Sequence, residues 1–218
     1  MNKKELSIDD IMCMEQRYRA AFINSLGGFK SVALVGTRSA GGQTNLAIFN
    51  SLFHLGANPP LFGFVVRPDS VERHTLANIL ETGQFTVNHI RPDFYRQAHQ
   101  TSARYGADAS EFEAVGLTEL YRNGWQAPFV AESEVQIAGE LVRRVDIAEN
   151  GAIILVCKIL FVSVPETCLQ PDGYIDLEAA GTVTCSGLDS YHTTNRLARL
   201  SYAKPDIDPI EIAVTNGG

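Results

Sequence analysis

The sequence predicts a mainly β fold with helical inserts, its strands antiparallel and closing toward a barrel. Short β-branched or apolar runs are punctuated by tight-turn signals, among them Arg38-Ser39-Ala40-Gly41-Gly42 and Glu149-Asn150-Gly151. Strand candidates do not alternate regularly with long helices, which argues against a doubly wound parallel sheet. A hairpin-built antiparallel sheet carries free edges, and closure into a barrel removes them.

The elements follow in order. Ser7 to Leu26 reads as a helix: Ser7 with Asp10 suits an N-terminal cap, and Ile8, Ile11, Met12, Tyr18, Phe22 and Ile23 fall near helical spacing. Gly27-Gly28 ends it, because glycine accepts the left-handed conformation that closes a helix. Ser31–Thr37 and Gln43–Phe49 read as the two strands of a hairpin. Leu61–Val66, after the breaker Asn58-Pro59-Pro60, reads as a buried strand. Thr75–Thr82 is a short helix stopped by Gly83, and Gln84–Ile90 is the next strand. Pro92–Tyr105 reads as helical, and Gly106–Gly124 as a loop-rich excursion. Glu134–Asp146 and Ala152–Val164 form a long hairpin, and the tail from Pro165 is rich in turn residues and irregular. No internal repeat or interdomain linker is visible. The organisation expected is a helical extension over 1–28, a barrel domain over 29–165, and a C-terminal segment over 166–218 packing on the barrel or on a dimer partner.

Composition narrows the function. The 218 residues are 45% hydrophobic and 20% charged, enough to bury a sizeable core. The formal charge of −7, from 18 Lys+Arg against 25 Asp+Glu, argues against a nucleic-acid surface, which needs concentrated positive charge. A local basic pocket for one phosphate remains compatible with it. Cys13, Cys157, Cys168 and Cys185 are scattered without a C-x-x-C pair, as reduced core thiols are. The N-terminal stretch carries no signal peptide and no apolar span follows, so a cytoplasmic protein is expected.

Familiar catalytic signatures are missing. Neither G-x-G-x-x-G nor G-x-x-x-x-G-K-[ST] is present, no G-x-S-x-G elbow appears, and the five histidines have no zinc-site spacing. Three segments stand out instead. Residues 43–53 mix small, amide and hydroxyl side chains with apolar ones. Small residues let a planar ligand reach the backbone, while Asn45, Asn50 and Ser51 match the polar edge of a heteroaromatic ring; the plainer reading is a strand entering a turn. Residues 67–79 leave a buried strand and open a helix. Free N–H groups there, the hydroxyls of Ser70 and Thr75, and Arg67 and Arg73 suit a phosphate, unless Thr75 only caps the helix and the arginines are solvated. Residues 187–205 carry aromatics and cations that either cover a ligand or pack as a tail.

The order of these segments resembles a known family. Val32-Ala33-Leu34-Val35-Gly36-Thr37, then Asn45-Leu46-Ala47, then Asn58-Pro59-Pro60-Leu61-Phe62-Gly63-Phe64 resemble the opening of flavin reductase-like proteins. Arg73-His74-Thr75-Leu76-Ala77-Asn78-Ile79 followed by Thr82-Gly83-Gln84-Phe85-Thr86-Val87-Asn88 is similar to that family's phosphate-binding turn, short helix and next strand. Arg199-Leu200-Ser201-Tyr202-Ala203-Lys204-Pro205 resembles the tail of a flavoredoxin-like subgroup. Residues 45–50 depart from the proline- and serine-bearing version of many members.

The resemblance implies a six-stranded antiparallel split β-barrel with Greek-key connections that binds FMN, in a homodimer. By the same resemblance Asn45, Leu46, Ala47, Asn50 and Ser51 lie along the isoalloxazine and ribityl chain. Arg67, Arg73, His74 and Thr75 take the phosphate side, Asn88 and His89 sit close by, and Tyr191 and His192 cover the site. The implied activity is NAD(P)H-dependent flavin reduction, with hydride passing from nicotinamide C4 to flavin N5. Such chemistry needs an open flavin face and no dedicated catalytic residue. Two alternatives stand beside it: an FMN-binding electron-transfer protein reduced by a protein partner, and a split barrel holding another cofactor such as haem or a deazaflavin.

Overall fold

A computed structural model describes residues 2–68, 73–106 and 108–214. Helices α1 (Ile8–Met12) and α2 (Gln16–Leu26) precede the short strand β1 (Lys30–Ser31). Strands β2 (Ala33–Arg38), β3 (Thr44–Phe49), β4 (Phe53–Ala57) and β5 (Pro60–Val66) follow, then helix α3 (His74–Thr82) and β6 (Gln84–His89). Helices α4 (Tyr95–Gln100) and α5 (Glu111–Val115) and the two-residue strands β7 (Glu119–Leu120) and β8 (Phe129–Val130) lead to the long hairpin of β9 (Gln136–Asp146) and β10 (Ile153–Ser163). A 3-10 turn at Glu166–Cys168 and strands β11 (Thr184–Ser186) and β12 (Ser190–His192) complete the described elements.

Most of the expected strands and α3 form within one or two residues of their predicted bounds, and several other expectations change. The single N-terminal helix is two. The expected Ser7–Asp10 capping box starts α1, and Glu15 then caps a new helix by accepting the Arg17 and Tyr18 N–H groups at 2.8 and 3.0 Å. The long insert of residues 92–105 is helical only over Tyr95–Gln100, while the excursion expected to be loop contributes α5, β7 and part of a ribbon. The tail is not wholly irregular, since β11 pairs with both β1 and β12.

Among the described residues the main sheet has seven antiparallel strands in the order β3-β2-β6-β9-β10-β5-β4, one more than expected. The extra strand is β4, which the sequence hides because Asn58-Pro59 reads as a breaker while Ala57 in fact pairs with Pro60. No ladder joins the outermost strands β3 and β4, so the barrel is split along that line. Ser51 bridges near the gap: its hydroxyl donates to the Val65 carbonyl at 3.0 Å and accepts from the Val65 N–H at 3.1 Å.

Strand β2 explains the layering. Successive side chains of a strand point to opposite faces, and β2 is buried on both. Ala33 and Val35 pack into the barrel with Phe62, Phe64, Phe85 and Leu155, where Leu76 and Ile79 of α3 fill the remaining space. Val32 and Leu34 face outward into a second cluster with Phe94, Phe112, Val130 and Cys185. Gly36 is required here, because a Cβ would overlap the Pro128 carbonyl oxygen where the excursion crosses the barrel. Gly83 ends α3 in the left-handed conformation (φ +73°), as its position predicts.

Candidate functional site

A cleft of about 550 Å³ opens where β3, the end of β5, the start of α3, the loop after α4 and the β11–β12 turn converge. Asn45, Ala47, Asn50, Ser51, Arg67, Arg73, His74, Thr75 and Tyr191 all line it. The structure therefore gathers most of the predicted site residues in one cavity. Ser70, the other hydroxyl considered for the phosphate, lies outside the described residues.

The corner at the start of α3 has the makings of an anion site. Arg73 occupies the N-cap position in an extended conformation and offers no side-chain cap. The first-turn N–H groups of a helix lack intrahelical partners, and they carry the positive end of the helix dipole. Thr75 is not the cap: its buried hydroxyl accepts from Asn45 Nδ2 at 2.9 Å, linking α3 to β3. Asn78 Nδ2 donates to Thr37 Oγ1 at 3.0 Å, and Asn45 Nδ2 also reaches that oxygen at 3.3 Å. These bonds fix the helix start against the two strands of the first hairpin. Arg73 Nε is buried with no hydrogen-bond partner among the described residues, a state that costs roughly 1–3 kcal/mol or more for a charged group unless a ligand satisfies it.

The cleft's charge is opposite to that of the chain. Arg67, Arg73 and Arg104 line it, and none makes a side-chain hydrogen bond or ion pair among the described residues. Among the described residues its one carboxylate is Glu111, 5% exposed, whose Oε2 accepts the Leu46 N–H at 3.0 Å. Burial raises the Glu111 pKa, against the opposing effects of the Leu46 N–H and of nearby His74. On the opposite side His99 Nδ1 lies 2.8 Å from the Tyr191 hydroxyl, and burial pushes that phenol up to about 12.

Four predicted residues lie off the cleft. Leu46 is wholly buried in the outer cluster. Asn88 is also wholly buried and fully engaged: Nδ2 donates to the Leu34 carbonyl and Thr86 Oγ1, and Oδ1 accepts the Val130 N–H. His89 Nδ1 is 3.2 Å from Thr182 Oγ1, and burial lowers its pKa to about 4. His192 Nε2 sits 2.9 Å from Ser186 Oγ, its ring edge-on to Phe29.

The sequence also left cleft residues unnoticed, notably His99, Arg104, Tyr105, Glu111 and Cys185. The first four belong to segments without strand periodicity, whose direction only the tertiary fold sets. Glu111 had one local signal, Ser110 before a short Glu-Phe-Glu-Ala-Val run, which is compatible with a helix start.

An antiparallel split barrel with a cationic, half-apolar cleft at its open seam is the architecture of a small-cofactor-binding protein. Residues 29–178 match the flavin reductase like domain, and the chain belongs to that family. A crystal structure from Shewanella frigidimarina NCIMB 400, provisionally described as a flavin reductase with split barrel domain, is 50% identical, with a TM-score of 0.89 over 92% of this chain and 100% of that one. Two more distant structures share the fold at 22% identity. Nitrilotriacetate monooxygenase component B from Bacillus cereus has a TM-score of 0.81, covering 91% of this chain and all of that one. Flavoredoxin of Desulfovibrio vulgaris (Miyazaki F) has a TM-score of 0.68, covering 82% and 92%.

Proposed function

We propose that the cleft binds FMN and that the protein is an NAD(P)H-dependent flavin reductase. The observation that carries this reading is the buried, unpartnered Arg73 Nε at the start of α3, with free Arg67 lining the same cleft. In an acidic chain such a corner suits a phosphate, because a charge-assisted bond offsets the burial of the unpaired Nε. The donor set therefore fits the group that the family implies.

In this reading Arg67, Arg73, His74 and the first N–H groups of α3 hold the phosphate. Ala47, with no side chain beyond Cβ, lets a planar ring approach β3, while Asn50 and the main chain around it meet polar ring edges. The bound flavin supplies hydride acceptance at N5. The chain's own part is orientation and electrostatics: the cationic corner and the α3 dipole favour added negative charge. The Ser51 bridge to Val65 keeps the two cleft walls at a fixed spacing. No side chain has to act as acid or base at the reacting carbon. Asn88, His89 and His192 then act at a distance, by holding β6, β8 and the β11–β12 turn in place.

Homodimerisation in the cytoplasm completes the proposal. Val142, Val145, Leu160 and Val162 expose apolar surface on the long hairpin, and sedimentation of the purified protein checks whether a second copy covers it.

The direct test is a visible spectrum of the purified protein, followed by titration with FMN and anaerobic addition of NADPH or NADH. Binding with bleaching by a nicotinamide is expected. Arg73→Ala with Thr75→Ala should weaken FMN at least about tenfold, the equivalent of one charge-assisted hydrogen bond. Absence of FMN binding rejects the reading. Binding without bleaching assigns the protein to electron transfer from a protein partner, and a Soret band in place of a flavin spectrum assigns it to haem.

A further inference from the structure

The cleft presents three free arginines, whereas FMN carries one phosphate. Arg67 and Arg73 come from the junction between β5 and α3. Arg104 comes from a separate element, the loop between α4 and α5, and reaches the same cavity from there. We propose that Arg104, with the aromatic ledge of His99 and Tyr191, is a second subsite that takes the phosphate-bearing adenosine half of the nicotinamide donor. The proposal rests on the flavin reading above.

The loop that carries Arg104 is well anchored at its start. Thr101 is buried, its N–H donates to the Gln97 and Ala98 carbonyls at 3.3 and 3.2 Å, and its hydroxyl donates to the Ala98 carbonyl at 2.8 Å. Turn hydrogen bonds continue from Ser102 to His99 and from Ala103 to Gln100, both at 3.0 Å. Arg104 is the next residue, exposed and without a side-chain partner among the described residues. An arginine that follows an anchored turn and has no side-chain partner keeps its planar fork available to phosphate oxygens, which it matches in geometry.

The ledge supplies the other half of the recognition. His99 and Tyr191 are joined at 2.8 Å with their rings edge-on at 5.7 Å, and Tyr95 lies 5.5 Å beyond Tyr191. Ring faces beside a cation suit a nucleobase linked to phosphate. Exposure also fits the role. A donor must leave after each turnover, and the exposed Arg104 offers it an open rim.

The test uses the FMN-loaded protein and its Arg104→Ala and Arg104→Lys variants. Steady-state KM and kcat are measured with NADPH and with NADH, and FMN affinity by fluorescence. Arg104→Ala should raise the donor KM about tenfold, as loss of one charge-assisted contact does, with FMN affinity unchanged and a smaller effect on kcat. Lysine should restore part of the loss. Equal rises for both donors identify the diphosphate as the bound group, and a rise for NADPH alone identifies the 2′-phosphate. Unchanged KM for both donors, in a protein that binds FMN and is bleached, overturns this subsite and leaves the flavin reading standing. Failure of the parent protein to bind FMN, or to be reduced by either nicotinamide, overturns both.

Discussion

Helices α2 and α3 are both legible as helices in the sequence, yet the fold uses them in opposite ways. The nine residues of α3 bury Thr75, Leu76, Asn78 and Ile79. Its two apolar side chains fill the barrel and its two polar ones bond to Thr37 and Asn45. The eleven residues of α2 bury nothing, and Tyr18 and Leu26 are each more than 60% exposed. Polar contacts hold α2: the Glu15 cap, Arg19 to the Met12 carbonyl at 2.8 Å, and Lys30 Nζ to the Asn24 carbonyl at 3.2 Å. Periodicity thus specifies a helix without specifying its covering. Buried polar residues on the packed face set apart α3, the helix whose start lines the cleft.

The sharpest way to break this contrast is to hollow out the α3 contact. Ile79→Ala should lower the unfolding free energy by about 2–5 kcal/mol, read as a shifted urea midpoint with an unchanged slope. A loss below 1 kcal/mol would mean that α3 does not plug the barrel.

The strand that α3 feeds gives the next effect. His89 ends β6, and its pKa falls from 6.5 in the unfolded chain to about 4 in the fold because its ring is buried. The unfolded chain then binds more protons between these values, so stability is intact above pH 6.5 and declines as pH falls toward 4. The full linkage is about 3 kcal/mol, less to the extent that water reaches the exposed part of the residue. Urea midpoints across that window should decline in the parent protein and flatten in His89→Gln.

The smallest effect belongs to α2. Ile23→Ala should change stability by no more than about 0.5 kcal/mol in the isolated chain. A larger loss that grows with protein concentration would show that α2 is covered by a second copy.

Legibility in the sequence follows the same division. Strands β2, β3, β5, β6, β9 and β10 were readable because each joins β-branched or apolar runs to a turn or breaker. The cleft residues around the start of α3 were readable because a strand end, two arginines and a helix start fall within a dozen positions. Strand β4 was hidden behind its prolines, and Asn88 and His89 were read as ligand contacts because sequence order cannot show which way a strand's side chains face. Arg104 and Glu111 reach the cleft only through the path of the excursion, and no local pattern records that path.

Glu111 and its neighbours have a further consequence. Strand β3 is the last in its sheet, and its outward Leu46 N–H is taken by the Glu111 carboxylate. Thr44, at the start of the same strand, donates to Glu119 at 2.6 Å. An open strand edge can template pairing with another polypeptide, and here the Glu111 carboxylate occupies one backbone donor of that template, while Glu119 takes only the Thr44 side-chain hydroxyl. The excursion therefore shields one edge donor of β3 as well as walling the cavity, and trimming it would leave that donor open to another chain.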